Sequence, residues 1–105
     1  MPCLYAIKLS KNTKNAVLYV GESGVHTADC KFSIHTTGDC ICGHTENANP
    51  FQRSTLAREH GERLFGSKAA SEDKATRVAE EEAWARYLAE RWNWGVWCNG
   101  RLFSR

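Results

Sequence analysis

Two tyrosines, Tyr5 and Tyr19, occur in two apolar, β-prone runs, CLYAIKL (residues 3–9) and AVLYVG (residues 16–21). The polar stretch between the runs has the composition of a turn, so the runs are expected to pair as an antiparallel hairpin. Pairing can bring the two hydroxyl groups together, where they can orient a water molecule or exchange a proton with it. The alternative interpretation is that the two rings are cross-strand packing partners.

A basic group follows in the segment RSTLAREH, which contains Arg53, Arg58 and His60. An arginine guanidinium can bind a phosphate through two parallel hydrogen bonds. On a regular helix Arg53 and His60 share a face, whereas Arg53 and Arg58 point about 140° apart. Because the sequence fixes neither the start nor the continuity of this helix, both arginines stay candidates.

An acidic run at residues 80–82 opens the segment EEAWARYLAERWN. Charge runs usually form a solvated helix face. Glu81 shares a helical face with Ala85 and Leu88, so it is the acid expected to point toward protein. Asn93 follows Glu81 by twelve residues and also suits a helix C-cap, because asparagine tolerates the left-handed conformation.

A long stretch at residues 22–50 concentrates side chains that can bind zinc. They are Cys30, His35, Cys40, Cys42 and His44. Four such ligands can hold tetrahedral Zn²⁺ and would stabilise a loop that has no core of its own. No pair has the common C-x₂-C spacing, so ordinary thiols and polar loop residues are the alternative. The stretch can also be an arm that contacts DNA, with Lys31 and His35 meeting phosphates.

Length and composition limit the kind of protein. A chain of 105 residues is expected to form a single domain over residues 1–105, and its net charge of +2 is no sign of a nucleic-acid binder. The odd count of five cysteines, without a secretion signal, argues against a disulfide framework. No apolar run is long enough for a membrane helix, so the protein is expected to be intracellular, in the cytoplasm.

The elements that must position these side chains can be predicted from patterning. Residues 22–50 are predicted to be an irregular insertion, in which residues 31–35 (KFSIH) form at most a short strand. A helix is predicted from Asn49-Pro50, with apolar positions continuing to Gly66. The safest helix, at residues 72–92, keeps a 3.6-residue rhythm behind Ser71 as N-cap.

The aromatic segment after this helix is predicted to end as a strand or tight hairpin, with Asn99-Gly100 as its turn. Its large side chains are Trp92, Trp94, Trp97 and Phe103. They can form a platform on which bases stack, but alternating tryptophans in a small domain more often belong to the core. We therefore expect an α+β domain in which the N-terminal hairpin and a C-terminal strand form a small antiparallel sheet flanked by helices.

The order of these motifs resembles the GIY-YIG nuclease superfamily. Leu4-Tyr5-Ala6 and Tyr19-Val20-Gly21 are similar to its paired motif, in which two adjacent strands each present a tyrosine to the active site. The family then has an arginine on the first helix, often with a histidine four residues later. A metal-binding glutamate and an asparagine about a dozen residues later complete the pattern, as Glu81 and Asn93 do here.

The chain also departs from that pattern. Leu4 and Ala6 replace the outer residues of the first motif. The family's arginine lies about ten residues after its second tyrosine, whereas 34 residues separate Tyr19 from Arg53. The insertion at residues 22–50 accounts for the longer interval, and neither Arg53 nor Arg58 has a histidine at the usual spacing.

The resemblance implies a metal-dependent endonuclease, with DNA as the expected substrate. Glu81 would bind Mg²⁺ or Mn²⁺, Arg53 or Arg58 with His60 would meet the phosphate, and Tyr5 and Tyr19 would orient or deprotonate water. A divalent cation and a fixed positive charge suit the charged transition state of phosphodiester hydrolysis.

Two other functions fit the same sequence. One is a non-catalytic module that binds a nucleic acid or a protein, and the other is a zinc-stapled interaction domain. Family members usually carry a separate DNA-reading domain, so a homo-oligomer or a targeting partner protein is also expected.

Overall fold

The computed structural model describes residues 1–43 and 54–105, which form one five-stranded sheet and three helices. The strands are β1 (Cys3–Thr13), β2 (Ala16–Ser23), β3 (Gly61–Ala69), β4 (Val96–Cys98) and β5 (Arg101–Phe103). The helices are α1 (Ala28–Thr36), α2 (Thr55–His60) and α3 (Lys74–Trp92). The strand order is β3-β1-β2-β4-β5. Among the described residues, no helix has both the length and the hydrophobicity needed to cross a membrane.

The predicted N-terminal hairpin is present. Lys14 and Asn15 both have positive φ angles, 53° and 61°, and form a two-residue turn of the kind that matches strand twist. The register places Tyr5 opposite Gly21 and Ile7 opposite Tyr19, so the two tyrosines are diagonal neighbours on one sheet face. A Cβ at Gly21 would overlap the Tyr5 hydroxyl, so this glycine makes room for the ring.

The predicted C-terminal strand is also present, but the expectation of an antiparallel sheet is wrong at one place. Strand β4 pairs with β2 in parallel, with Leu18 beside Val96 and Tyr19 beside Trp97. Strands β2 and β3 both run antiparallel to β1, and α3 then carries the chain back, so that β4 starts in the direction of β2. Strand β5 returns through the predicted Asn99-Gly100 turn, where both φ angles are positive.

Helix α3 confirms the helix predicted at residues 72–92. Its N-cap is Asp73 rather than Ser71, because the Asp73 carboxylate accepts the N–H of Thr76 at 2.9 Å. The helix ends at Asn93, which adopts the left-handed conformation (φ 55°, ψ 41°) and donates its N–H to the carbonyl of Ala89.

Residues 28–36 form a helix, so the predicted irregular stretch is wrong at this point, and so is the short strand at 31–35. Thr27 caps the helix by accepting the N–H of Cys30. Patterning missed α1 because its apolar side chains do not form one stripe, and polar His35 is as deeply buried as Ile34.

The helix predicted to continue to Gly66 is also wrong in its second half. Gly61 ends α2 after six residues, and residues 61–69 form β3. Leu64 and Phe65 have a spacing that suits a helix, but pairing with β1, which sets Ile7 beside Leu64, decides the conformation. The start predicted at Asn49-Pro50 lies outside the described residues.

The two sides of the sheet carry different interiors because alternate residues of β1 and β2 point to opposite faces. The side that packs on α3, here the α3 face, contains a cluster of nine buried residues: Ala6, Leu18, Val20, Ala85, Leu88, Ala89, Val96, Cys98 and Phe103. The side that packs on α1 and α2, here the α1 face, contains buried Tyr5, Ile7 and Ala57. Ala28, Phe32 and Leu64 only partly cover that smaller group.

The aromatic residues at the C-terminal end divide between core and surface. Phe103 is buried on the α3 face, and Trp94 packs against its edge. Trp92 stacks on Trp94 with ring centroids 5.6 Å apart, and 44% of its surface is exposed. The expected core role therefore describes Phe103 best.

Candidate functional site

A polar cleft of about 260 Å³ lies where the first hairpin, α1 and α3 meet. Its lining residues are Tyr5, Tyr19, Gly21, Glu22, Lys31, Lys74, Glu81 and Asn99. Three side chains selected from the sequence, Tyr5, Tyr19 and Glu81, therefore come from separate elements to one place.

A histidine fixes the orientation of Tyr5. The hydroxyl of Tyr5 lies 2.8 Å from Nε2 of buried His35, and the backbone N–H of Ser54 donates to Nδ1 of the same ring at 3.3 Å. Because a backbone amide can only donate, Nδ1 is the acceptor and Nε2 carries the proton. His35 therefore donates to the Tyr5 oxygen, and the Tyr5 hydroxyl proton is directed elsewhere.

Tyr19 lies beside this pair, with its ring centroid 6.3 Å from that of Tyr5 and 5.5 Å from that of His35. Burial, and then the charge of Glu81, raises the pKa of Tyr19 to about 12. Burial also raises the pKa of Tyr5 well above its usual value. Both hydroxyls are neutral at pH 7, which favours orienting a water molecule over deprotonating it.

Glu81 presents a buried carboxylate from α3, with 2% of its surface exposed. Its Oε1 accepts a hydrogen bond from the Cys98 thiol at 3.0 Å. Burial raises the pKa of the Glu81 carboxyl to about 7, against the lowering effect of that hydrogen bond, and the charge of Glu22 raises it further. Among the residues described, no second group donates a hydrogen bond to this carboxylate.

The cations around the cleft have different partners. Lys74 donates to Oε1 of Glu22 at 2.7 Å, and Nε of Arg77 donates to Oε2. Burial alone would raise the pKa of Glu22, but the hydrogen bonds and charges of these two residues outweigh it and lower that pKa. Arg77 is buried and also donates to the carbonyls of Ser71 and Glu72, so its guanidinium is occupied.

Lys31 differs from those cations. It extends from α1 into the lining of the cleft, and within residues 1–43 and 54–105 no ion pair holds its amino group. Burial lowers the pKa of Lys31, while the nearby charge of Glu22 acts in the opposite direction. Lys31 is thus the cation best placed to meet an anion that enters the cleft.

The basic residues selected from the sequence lie elsewhere. Arg58 is exposed on α2, and Nε2 of His60 is 3.9 Å from the carboxylate of Glu59. Neither lines the cleft. Arg53 lies outside the described residues.

Lys31 and His35 lie together on α1 near the two tyrosines, with Lys31 in the lining of the cleft and His35 against Tyr5. They are four residues apart on the first helix after the hairpin, and Lys31 follows Tyr19 by twelve residues. This signal was present in the sequence, but reading residues 22–50 as irregular hid the helical spacing that puts both side chains on one face.

Asn93 does not line the cleft. It is exposed at the C-terminal end of α3, where its left-handed backbone closes the helix. Asn99 lies in the cleft lining instead, in the turn between β4 and β5, and donates to Glu82 at 3.2 Å.

A second cluster, here the thiol–imidazole cluster, lies at the N-terminal end of α1, to which the segment after the helix returns. It consists of His26, Cys30, Cys40 and Cys42, whose ligand atoms all lie within 4.8 Å of one another. The three sulfur atoms are 3.1 to 3.3 Å apart, and His26 Nδ1 is 2.9 Å from the Cys42 sulfur. The cluster can hold a metal ion such as zinc.

Three of the predicted zinc ligands, Cys30, Cys40 and Cys42, lie in this cluster, whereas His35 does not. Both ring nitrogens of His35 face other groups, the Tyr5 hydroxyl and the Ser54 amide. His26 supplies the imidazole instead. The spacing of four residues between His26 and Cys30 was the signal that could have identified it. His44 lies outside the described residues.

A function for this chain must be argued from the cleft and the thiol–imidazole cluster. A scan against protein-family models and searches of curated proteins and of solved structures give no match to this chain.

Proposed function

We propose that this protein is a metal-dependent endonuclease that hydrolyses phosphodiester bonds of nucleic acid, with DNA as the expected substrate. The observation that supports this most is the meeting of Tyr5, Tyr19, Lys31 and Glu81 around one polar cleft. These groups come from β1, β2, α1 and α3, so only the folded chain brings them together.

Glu81 is the residue we assign to a divalent cation, Mg²⁺ or Mn²⁺. Cys98 is the one hydrogen-bond donor to this buried carboxylate among the described residues, so a bound cation would supply the positive charge that its ionised form lacks. A bound cation supplies charge neutralisation for a phosphodiester under attack. Glu22 is held by Lys74 and Arg77, so its role is to keep those cations in place.

Lys31 is assigned to the substrate phosphate. Its ammonium group is a compact point charge, whereas the arginine of the resembled family can grip two oxygens at once. The two tyrosines are assigned to water and phosphate oxygens, as neutral hydroxyl groups. His35 positions Tyr5, since its Nε2–H donates to the phenol oxygen and leaves the phenol proton to point away from the ring.

The test is cleavage of supercoiled plasmid with Mg²⁺ or Mn²⁺. We expect Glu81→Gln and Lys31→Met to lower the cleavage rate by about 100-fold or more, since one charged group in a site of this kind commonly accounts for that much. Matched controls are Glu90→Gln, on the exposed side of α3, and Lys11→Met, in the exposed end of β1. Cleavage at the wild-type rate by both Glu81→Gln and Tyr19→Phe would contradict the assignment.

A second candidate is a module that binds nucleic acid without cleaving it. The lysine at position 31 favours this candidate, because it offers charge without the forked geometry that suits a transferring phosphate. No cleavage by the wild type, together with binding that Lys31→Met weakens and Lys11→Met does not, would select it.

A further inference from the structure

We propose that the thiol–imidazole cluster binds one structural Zn²⁺ and that this ion fixes α1, and with it Lys31 and His35, in the cleft. The zinc site stands on its own geometry. Only the consequence for the cleft rests on the proposed function.

The cluster has the shape of a closed tetrahedral site. The six distances among its four ligand atoms run from 2.9 to 3.7 Å, so each atom is a near neighbour of the other three. Zinc–sulfur bonds of about 2.3 Å give tetrahedron edges of about 3.7 Å, so the ion would widen the cluster by a few tenths of an ångström. Three thiolates and one imidazole complete four-coordination and leave no open position, as in structural zinc sites.

The distances between the sulfur atoms show that the cluster cysteines are not joined by disulfide bonds. A disulfide has an S–S bond of about 2.05 Å, and the shortest sulfur–sulfur distance in the cluster is 3.1 Å, between Cys40 and Cys42. Three cysteines and a histidine from two ends of a helix therefore converge without a covalent bond between them. A soft divalent ion is the ligand that such a set recognises.

The ligands are placed to close a loop of chain around α1. His26 and Cys30 lie at its beginning, whereas Cys40 and Cys42 come after its end and return to the beginning. The Ser33 hydroxyl donates to the Asp39 carbonyl at 2.9 Å, which holds the returning segment along the helix.

The same site is attached to the sheet. The N–H of His26 donates to the Ser23 hydroxyl at 2.8 Å, at the end of β2, and the Cys3 thiol of β1 contacts the His26 carbonyl at 3.3 Å. An ion at this point would therefore join the beginning of α1, and the segment that returns from its end, to the edge of the hairpin that carries Tyr5 and Tyr19.

Helix α1 needs such a support. It has nine residues, fewer than the twelve or so at which isolated helices become even marginally stable. Of its three buried side chains, Cys30, Ile34 and His35, only Ile34 is aliphatic, while Ala28 and Phe32 are partly buried against the α1 face. Lys31 and His35 are one helical turn apart on this short element, so whatever holds α1 also holds their positions.

The first experiment measures zinc. Protein purified without chelator is analysed for metal content, and zinc-free protein is titrated with Co²⁺, whose absorption reports tetrahedral thiolate ligation. We expect one zinc per chain and a cobalt–thiolate spectrum in the wild type, and loss of both in Cys40→Ser and Cys42→Ser. Cys3→Ser is the matched control, since that thiol lies outside the cluster and serine keeps the hydrogen bond. Zinc retained in both cluster variants, or a wild type that takes up neither ion, would overturn the site.

The second experiment measures the consequence for α1 in the wild-type chain, so that misfolding of a variant cannot decide it. Amide hydrogen exchange is compared before and after a zinc-selective chelator, with Mg²⁺ in excess. We expect residues 28–36 to exchange at least about tenfold faster after zinc removal, and α3 to be unchanged. Equal protection of α1 in the two states would overturn the coupling.

The two proposals can fail separately. Full zinc occupancy and a protected α1 without plasmid cleavage would overturn the proposed endonuclease and support the zinc site. Plasmid cleavage by a chain that binds no zinc would support the endonuclease and overturn the zinc site. Glu81→Gln, which lies on another helix, is expected to keep its full zinc content in either case.

Discussion

The two faces of the sheet are built on different physical principles. The α3 face buries nine residues in one cluster. Eight of them are aliphatic or aromatic, and the ninth is Cys98. The α1 face has smaller buried groups, with Tyr5, Ile7 and Ala57 in one and Leu9, Ala16 and Leu56 in another, and the thiol–imidazole cluster lies at the beginning of its helix. Apolar burial stabilises the first face, whereas the second depends on polar contacts and, as we propose, on zinc. The side chains that can bind a metal ion or an anion lie mainly on the second face.

The largest loss of stability is expected from a substitution in the core of the α3 face. Leu18 is fully buried in its cluster, and Leu18→Ala should lower the free energy of unfolding by about 2 to 5 kcal/mol through lost burial and a cavity. Chemical denaturation measures the change. Leu102→Ala, at a position with 37% exposure, should cost far less. Equal losses in the two variants would remove the distinction between this core and the surface.

The next largest change in stability is expected at Glu81, whose buried carboxylate lies between the two faces. Because the pKa of Glu81 is raised from 4.5 to about 7, folding favours its protonated form. The contribution of this proton to the free energy of unfolding is fully present below pH 4.5. That stabilisation is lost as the pH rises toward and through 7, by about 3 kcal/mol in all. Without divalent cations, Glu81→Gln should therefore be more stable than the wild type at pH 8, and the two should converge at pH 4.

Unfolding curves at several pH values check this prediction. Glu90→Gln, an exposed substitution on the same helix, should follow the wild type throughout. A Glu81→Gln variant that is less stable than the wild type at pH 8 would show that the carboxylate is satisfied by contacts other than those described.

Zinc should stabilise the protein by an amount that depends on its concentration. At a free zinc concentration 100 times the dissociation constant, binding to the folded state alone adds about 2.7 kcal/mol. Thermal unfolding with and without zinc measures this in the wild type. Cys42→Ser should show no such dependence, whereas Leu18→Ala should keep it. A zinc effect that disappears in Leu18→Ala would mean that the two faces are not independent.

The smallest change in stability is expected from substitution of Asn93 at the C-terminal end of α3. Asn93 has a left-handed backbone, so Asn93→Ala should cost about 1 kcal/mol, while Asn93→Gly should be neutral or slightly stabilising. Denaturation midpoints distinguish the two. Loss of plasmid cleavage in the glycine variant, with stability preserved, would assign Asn93 a role beyond ending the helix.

The same contrast explains which parts of the fold the sequence could predict. The hairpin and α3 follow from local signals, namely a polar stretch between two apolar, β-prone runs and a 3.6-residue apolar rhythm. Strand β3 was missed because its conformation depends on pairing with β1, more than 50 residues away along the chain. Helix α1 was missed because its buried side chains include polar His35 and the Cys30 thiol beside Ile34, so no continuous apolar stripe marks it.

The residues of the candidate site also divide into those that the sequence could identify and those that it could not. Tyr5, Tyr19 and Glu81 could be selected in advance because each lies on an element with a clear pattern. Lys31 and His35 could not, because their shared face exists only if residues 28–36 are helical. His26 was overlooked because it precedes the helix that carries Cys30, and only the fold shows that Cys40 and Cys42 return to it.

The parallel pairing of β4 with β2 sets an order for assembly during synthesis. Tyr5, Tyr19, Lys31 and Glu81 have all been synthesised before Val96 and Cys98, yet Cys98 supplies the hydrogen bond to Glu81 and Val96 lies beside Leu18. A chain in which β4 has not yet paired with β2 exposes one edge of β2 and lacks the hydrogen bond from Cys98 to Glu81. An unpaired strand edge is prone to pairing with other chains, so the nascent protein passes through an aggregation-sensitive stage before its cleft can close.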